Sequence, residues 1–438
     1  MPHALTELRL GCVTRPPAPP AHEISADVCV VGAGIAGLSA AIESARIGRD
    51  VVLVDSLPVI GGQMVHSLIG LFCGVFGNAP GYQQLTHGVF DGIFADLGPS
   101  GDLHFQRGHT TTVHFNEVAL GRWLEQQIVA LGVRTILGTV LRHAEVTDGR
   151  VSAIALASRY GDLSVRADGF VDASGDAALT WQAGLPCWVP ERPIYGSQQV
   201  IVENVDFGHR PDPGEMDLRI AEKGEEYGLL RRGGLAFFFP GRGTAVLNVT
   251  HIEAPLDPVA ASQAQLAGKA QADGALALLR AEFPKAFGGA RVRAYGFPGR
   301  RQTRWVKARH QLTVDEVRAG TRFEDAVART AWPIELHDRA DGYVWEMFGA
   351  DHVHYVPLRS MTPPDVQNLV AAGRCVDGDA AALSSVRVMG PCAAMGAGAA
   401  HALDLAGTGS VHDIDLAQLR ERVAGNIGPA PGTGEEGG

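Results

Sequence analysis

The chain has 438 residues, 46% apolar and 19% charged, with a formal net charge of -11. That length suits two domains better than one core, and the acidic balance argues against the basic face of a nucleic-acid binder. No apolar run reaches the roughly 20 residues of a membrane span, no long apolar stretch follows a basic start, and the six cysteines are scattered without a CxxC pair. A metal site and a disulfide framework are therefore not expected, and a cytoplasmic location follows by default.

Residues 1–25 read as a flexible N-terminal segment, Pro-rich over 13–23. The first regular element begins at Ala26. DVCVVGAGIAGLSAAIESARIGRDVVLVD reads as a buried strand (Val28 to Val31), a tight turn, an Ala-rich helix (Leu38 to Ile47) and a second strand (Val51 to Val54), a βαβ unit. EVALGRWLEQQIVALG reads as an amphipathic helix closed by Gly132. A strand (Val133–Leu137) follows, then a ribbon (Val140–Val146 and Val151–Ala157) turning at Asp148-Gly149. The strand Ser164 to Val171 runs into Asp172-Ala173-Ser174-Gly175-Asp176.

From about 185 the texture changes to short β-rich runs (Gln198–Val205, Leu235–Phe239, Ala245–Thr250) and one long helical stretch (Pro258–Phe283). After Tyr355, NLVAAGRC reads as a strand ending in a Gly turn, and GPCAAMGAGAAHALDLA as a helix of small residues. The expected fold is α/β: a Rossmann-like domain built from 26–184 and 345–425, a β-rich cap inserted at 185–344, and a disordered tail at 426–438.

Gly32-Ala33-Gly34-Ile35-Ala36-Gly37 is a GxGxxG string that follows a buried strand and opens a helix, and Asp55 and Ser56 close the next strand. This context is the dinucleotide fingerprint. Gly32 turns the chain, Gly34 lets the backbone meet a pyrophosphate, and Gly37 lets helix and strand pack closely. The helix N-terminus offers N–H groups to the phosphates, and Asp55 accepts from a ribose.

Gly61-Gly62-Gln63 resembles the extension found in FAD enzymes of the glutathione-reductase type, and Asp172-Ala173-Ser174-Gly175-Asp176 resembles their second flavin-domain signature. With GFVDASGDAAL and NLVAAGRCVDGDAAALSSVRVMGPCAAMGAGAAHAL, the sequence resembles the broad FAD-dependent oxidoreductase family related to glutathione-reductase and fumarate-reductase flavin folds, over nearly its whole length. The resemblance implies FAD contacts from Gly62, Gln63, Val140, Ala173, Gly175, Gly373, Arg374, Arg387, Met389 and Cys392, and from the backbone of Pro391 to Ala394. A helix N-terminus facing the flavin would stabilise the charge that collects on its reduced ring. The sequence departs from the family at Ala380-Ala381, where a His-Glu pair is usual, and at Gln302, where Glu is common.

Five residues are candidates for the chemistry: His66, Cys73, His354, Tyr355 and Arg301. His66, just after the GGQ turn, is a base, a substrate ligand, a flavin attachment point, or a loop histidine bonded to backbone. Cys73 is redox-active, flavin-linked or simply a small buried hydrophobe. Cys392, at a helix start, should have a lowered pKa and can pair with Cys73. His354 and Tyr355 either face a substrate, with Arg359 binding its acid group, or lie on an edge strand. Arg301, with Arg300 and Arg304, clamps an anion or pairs with Asp315, Glu316 or Glu324.

No second GxGxxG module is visible, so reduced flavin would pass electrons to O2, a quinone or a protein carrier. The leading expectation is a dehydrogenase or oxidase taking a hydride from a CH–NH or CH–OH carbon of a small polar metabolite. The alternatives are a desaturase or ene-reductase acting on CH–CH, with Arg301 or Tyr355 as the acid, and a non-catalytic electron-transfer subunit. No nucleic-acid or membrane partner is expected, and a homodimer is left open.

Overall fold

A computed structural model describes residues 11–14, 21–239 and 241–428. Its centre is a seven-stranded sheet. Arg134–Leu137, Val51–Asp55, His22–Val31 and Gly161–Asp172 lie side by side in parallel. The last of these then divides its partners. Its N-terminal half pairs antiparallel with Arg150–Ser158, which pairs with Val140–Thr147, and its C-terminal end pairs in parallel with Leu369–Ala371. Val28 to Val31 and Val51 to Val54 read as apolar runs because both faces are covered there.

The first strand begins at His22, ahead of the expected Ala26, and residues 22–25 pair with Leu163 to Arg166. This added stretch is mostly exposed, so it lacks the continuous apolar run that marks the buried part. The rest of the expected flexible N-terminal segment, apart from residues 11–14 and 21, and the tail beyond Gly428 lie outside the described residues.

Two helices cover one face of the sheet, Ile35–Arg46 and Met389–Ala406. They approach at backbone distance. A Cβ at Gly396 would collide with the Ala36 carbonyl, so the small-residue texture of the last helix is a packing requirement. On its other side Gly398 accommodates Val327.

The cap is a four-stranded antiparallel sheet in the order Leu235–Phe239, Thr244–Asn248, Val200–Glu203, Arg291–Tyr295. The long helix Pro258–Glu282 packs on it, and Val200, Leu247, Leu276 and Phe287 share a core of their own. The chain rejoins the principal core well before the expected residue 345: Trp305, Leu312, Val327 and Ile334 pack in the same cluster as Val30 and Val370. This return runs through short pieces, Trp305–Val306 on Cys187–Trp188 and Ala326–Thr330 on His354–Pro357. Pieces so short carry no legible periodicity.

Candidate active site

One continuous cavity of about 1240 Å³ runs from the GxGxxG turn to the cap sheet. That exceeds the roughly 300–1,000 Å³ of an ordinary ligand pocket and leaves room for a cofactor and a second molecule.

At its nucleotide end Gly32 has a φ of 109°, which only glycine adopts easily, and a Cβ there would strike the Ala173 carbonyl. Gly37 lies behind the turn, not on the cavity, and a Cβ there would overlap the Gly32 carbonyl oxygen. Gly34 begins the helix and is different: a Cβ would meet no protein atom within 4 Å. The space above that helix N-terminus belongs to the cavity. Asp55 closes the end, its carboxylate accepting from the N–H groups of Ala33 (2.5 Å) and Leu57 (2.7 Å). Ala36, Ser56, Gly62, Gln63, Val140, Ala173 and Gly175 also line this half.

Further in, Gly373, Arg374, Arg387, Met389 and Cys392 line the wall. Arg374 bonds Asp176 at 2.7 Å, and Arg387 donates to the Glu335 carbonyl at 2.9 Å. Arg374 Nη1 and Arg387 Nε are buried without a hydrogen-bond partner, which is where a polar cofactor would supply acceptors. Burial raises the Asp176 carboxyl, but Arg374, Thr303 and Arg300 outweigh it and hold the group below its ordinary value. A long cavity with a bare helix N-terminus at one end and unpaired donors along its wall fits FAD.

The helix start offers fewer donors than expected. Gly390 N–H is taken by the Cys73 carbonyl, Pro391 has no N–H, and Cys392 N–H bonds within the helix. The cysteines are also unlike the expectation. Burial pushes the Cys392 thiol up to about 12 and Cys73 well above its usual value, overriding any effect of the helix terminus. Both line the cavity, yet they are free thiols held as small apolar groups.

Three of the five expected catalytic side chains are not among the described residues lining the cavity. His66 turns its Nε2 to the Ile60 carbonyl at 2.7 Å and rests near Phe297. His354 is fully buried between His352 (3.1 Å) and Ser385 Oγ (2.8 Å), and burial holds it neutral. Tyr355 points the other way, as strand alternation requires, into the principal core. Arg359 stands near Asp325 (3.6 Å) and over Phe323, away from the cavity. Arg301 does line it, with Nη1 on the Tyr195 carbonyl at 2.7 Å. Its neighbours Arg300 and Arg304 pack on Asp176 and Trp181, not on the acids expected from the sequence.

Sequence reasoning missed the residues around Arg301. Arg231, 3% exposed, reaches the Asn248 carbonyl and covers the Tyr343 ring at 4.7 Å. Glu335 lies directly across a two-strand pair from Trp345. Trp332 Nε1 donates to it at 3.2 Å, and His337, two residues on and on the same side, contacts it at 2.9 Å. Burial lowers Arg301 to about 9 and Arg387 to about 10, values that still leave both protonated at neutral pH. No local signal marked Arg231, Glu335 or Tyr343, because each comes from a different short segment.

Among solved structures, the chain is similar to a geranylgeranyl bacteriochlorophyll reductase-like protein from Thermoplasma acidophilum, at 14% identity and a TM-score of 0.48 over 92% of this chain and 84% of that one. It is also similar to the flavin-dependent brominase Bmp2, at 13% identity and 0.45 over 92% and 83%. A third is P. aeruginosa PqsL in complex with 2-aminobenzoylacetate, at 14% and 0.42 over 92% and 93%. The family model for FAD dependent oxidoreductases matches residues 27–423, and the chain belongs to that family.

Proposed function

We propose that this FAD-dependent enzyme takes a hydride from a CH–OH or CH–NH carbon of a small polar metabolite that carries an anionic group. The observation behind this reading is the cap end of the cavity, where Arg231, Arg301 and the Glu335 carboxylate line one wall beside Trp332 and Tyr343. Two guanidiniums suit a carboxylate on the substrate. Glu335 suits the proton that leaves the oxygen or nitrogen, and the aromatic rings exclude water.

In this reading Asp55 holds the adenosine ribose, the Gly32–Gly34 turn and its helix hold the pyrophosphate, and Arg374, Arg387 and Met389 flank the rest of the cofactor. Bound FAD supplies the two-electron acceptor. The other sheets among the described residues are antiparallel, and none forms a second nucleotide βαβ unit. O2, a quinone or a protein carrier then collects the electrons.

The test is anaerobic mixing of holoenzyme with pools of hydroxy acids, amino acids, neutral alcohols and neutral amines, following flavin absorbance. Bleaching by an anionic pool, with Arg301→Met raising KM for the active compound, is expected. No bleaching by any pool would sink the proposal.

A further inference from the structure

A chain of side chains leads from Glu335 into the cap. Glu335 Oε1 lies 2.9 Å from His337 Nε2, His337 Nδ1 lies 2.9 Å from His251 Nε2, and His251 Nδ1 lies 2.9 Å from the Ala340 carbonyl oxygen. Both ends are acceptors when Glu335 is ionised. Each of the three contacts needs one proton to be a hydrogen bond, and two neutral imidazoles supply only two. The count is the same whichever tautomers are chosen.

The rings cannot turn away to find water. Both are fully buried, His337 stacked on Tyr343 at 4.7 Å and His251 on Tyr195 at 5.5 Å. Of the three side chains, Glu335 alone lines the cavity, its side chain 22% exposed.

Burial, helped by the charges around the chain, keeps it short of that third proton. Burial, with Arg301, lowers His337 to about 2 and His251 to about 3; Arg387 adds to the first and Arg231 to the second. The carbonyls of Ala340 and Arg339 pull His251 upward, and Glu335 does the same for His337, without reversing either shift. Burial raises the Glu335 carboxyl, but the His337 bond, Arg301 and Arg387 bring it down to about 2. The Trp332 N–H completes its surroundings, and the neighbouring Cys73 is a neutral thiol.

We propose that Glu335 is the proton acceptor of the site and that His337, backed by His251, positions it: with two protons for three contacts, one imidazole N–H is committed to the Glu335 carboxylate. The proposal rests on the hydride-transfer reading, since the proton is the one that leaves the substrate O–H or N–H. That bond breaks, its proton goes to the Glu335 carboxylate, and no further oxidant is involved. The new proton sits on Glu335 Oε2, while His337 keeps its Nε2–H on Oε1. Glu335 is the catalytic residue, and the histidines are positioning residues.

The test is nitrogen NMR of the FAD-loaded protein with ¹⁵N-labelled histidine at neutral pH. In the wild type, His337 should be neutral and protonated at Nε2, donating to the carboxylate. In Glu335→Gln the amide N–H can donate into the chain, so His337 and His251 should both be protonated at Nδ1. An imidazolium at either ring in the wild type, or an unchanged His337 tautomer in the variant, would overturn the proposal; the wild-type spectrum is informative even if the variant folds poorly. With an active substrate in hand, Glu335→Gln should lower kcat by about 100-fold or more and leave KM nearly unchanged. Wild-type turnover by the variant would refute the chain and leave the hydride-transfer reading standing. A tautomer switch with no flavin-reducing compound would do the reverse.

Discussion

Alanine at Gly34 should cost FAD binding and spare the fold, whereas alanine at Gly37, three residues along, should damage both. Gly34 has φ -79° and ψ -177°, a conformation open to any residue, and its Cβ would point into empty cavity. The fold loses only the preference for glycine over alanine at a helix N-cap, a few tenths to about 1 kcal/mol. With a cofactor against that turn, the methyl group is an intrusion into a filled site, worth about 1–3 kcal/mol. That corresponds to roughly a 5- to 150-fold weaker Kd. At Gly37 the same methyl overlaps the Gly32 carbonyl, so the turn must move before anything binds. Apoprotein melting and titration with FAD, followed by quenching of flavin fluorescence, separate the two. Gly34→Ala binding FAD as tightly as wild type would refute the placement of the pyrophosphate; equal loss of stability in both variants would refute the steric distinction.

Asp176→Asn should destabilise the protein by about 1–3 kcal/mol at neutral pH, since it leaves Arg374 without its carboxylate. The folded carboxyl lies below its unfolded value of about 3.9, so its contribution is present above that value and is lost as pH falls through the depressed one. The melting-temperature gap between variant and wild type should therefore narrow in acid; a constant gap would contradict the ion-pair account. Cys12 is exposed, while Cys29, Cys73, Cys375 and Cys392 are buried with thiols pushed upward. A thiol reagent should therefore label Cys12 fast, and Cys29 and Cys375, which do not line the cavity, only on unfolding; Cys12→Ser should remove the fast phase. Tyr355→Phe should be neutral or stabilising by up to ~1 kcal/mol, because the hydroxyl is buried without a hydrogen bond. A large fall in activity in that variant would return Tyr355 to the site.

The cofactor half was legible because its demands are local. A close backbone approach, a positive φ and a ribose acid each require a particular residue at a fixed offset, so Gly32, Gly34, Gly37 and Asp55 stand out in one short segment. The substrate half is assembled differently. Arg231, Glu335 and Tyr343 come from two loops and one short strand, and only the tertiary structure brings them together. His354 and Tyr355 misled for the opposite reason. Their alternation is that of a strand, correctly read, but both faces of that strand are buried. The ribbon at Val140–Thr147 and Arg150–Ser158 agrees closely with its turn signal, whereas the cap boundary was set too late because the returning pieces are too short to announce themselves.

The packing of Met389–Ala406 against Ile35–Arg46 has a bearing on how the enzyme is made. The nucleotide turn is synthesised near the start of the chain, yet the helix that presses on it through Gly396, and the Gly373–Arg374 wall beside it, come near the end. A nascent chain halted before residue 389 exposes the Ala-rich face of the first helix and holds an incomplete cofactor groove. Tight loading of FAD should therefore wait until Met389–Ala406 has been made and has packed on the first helix.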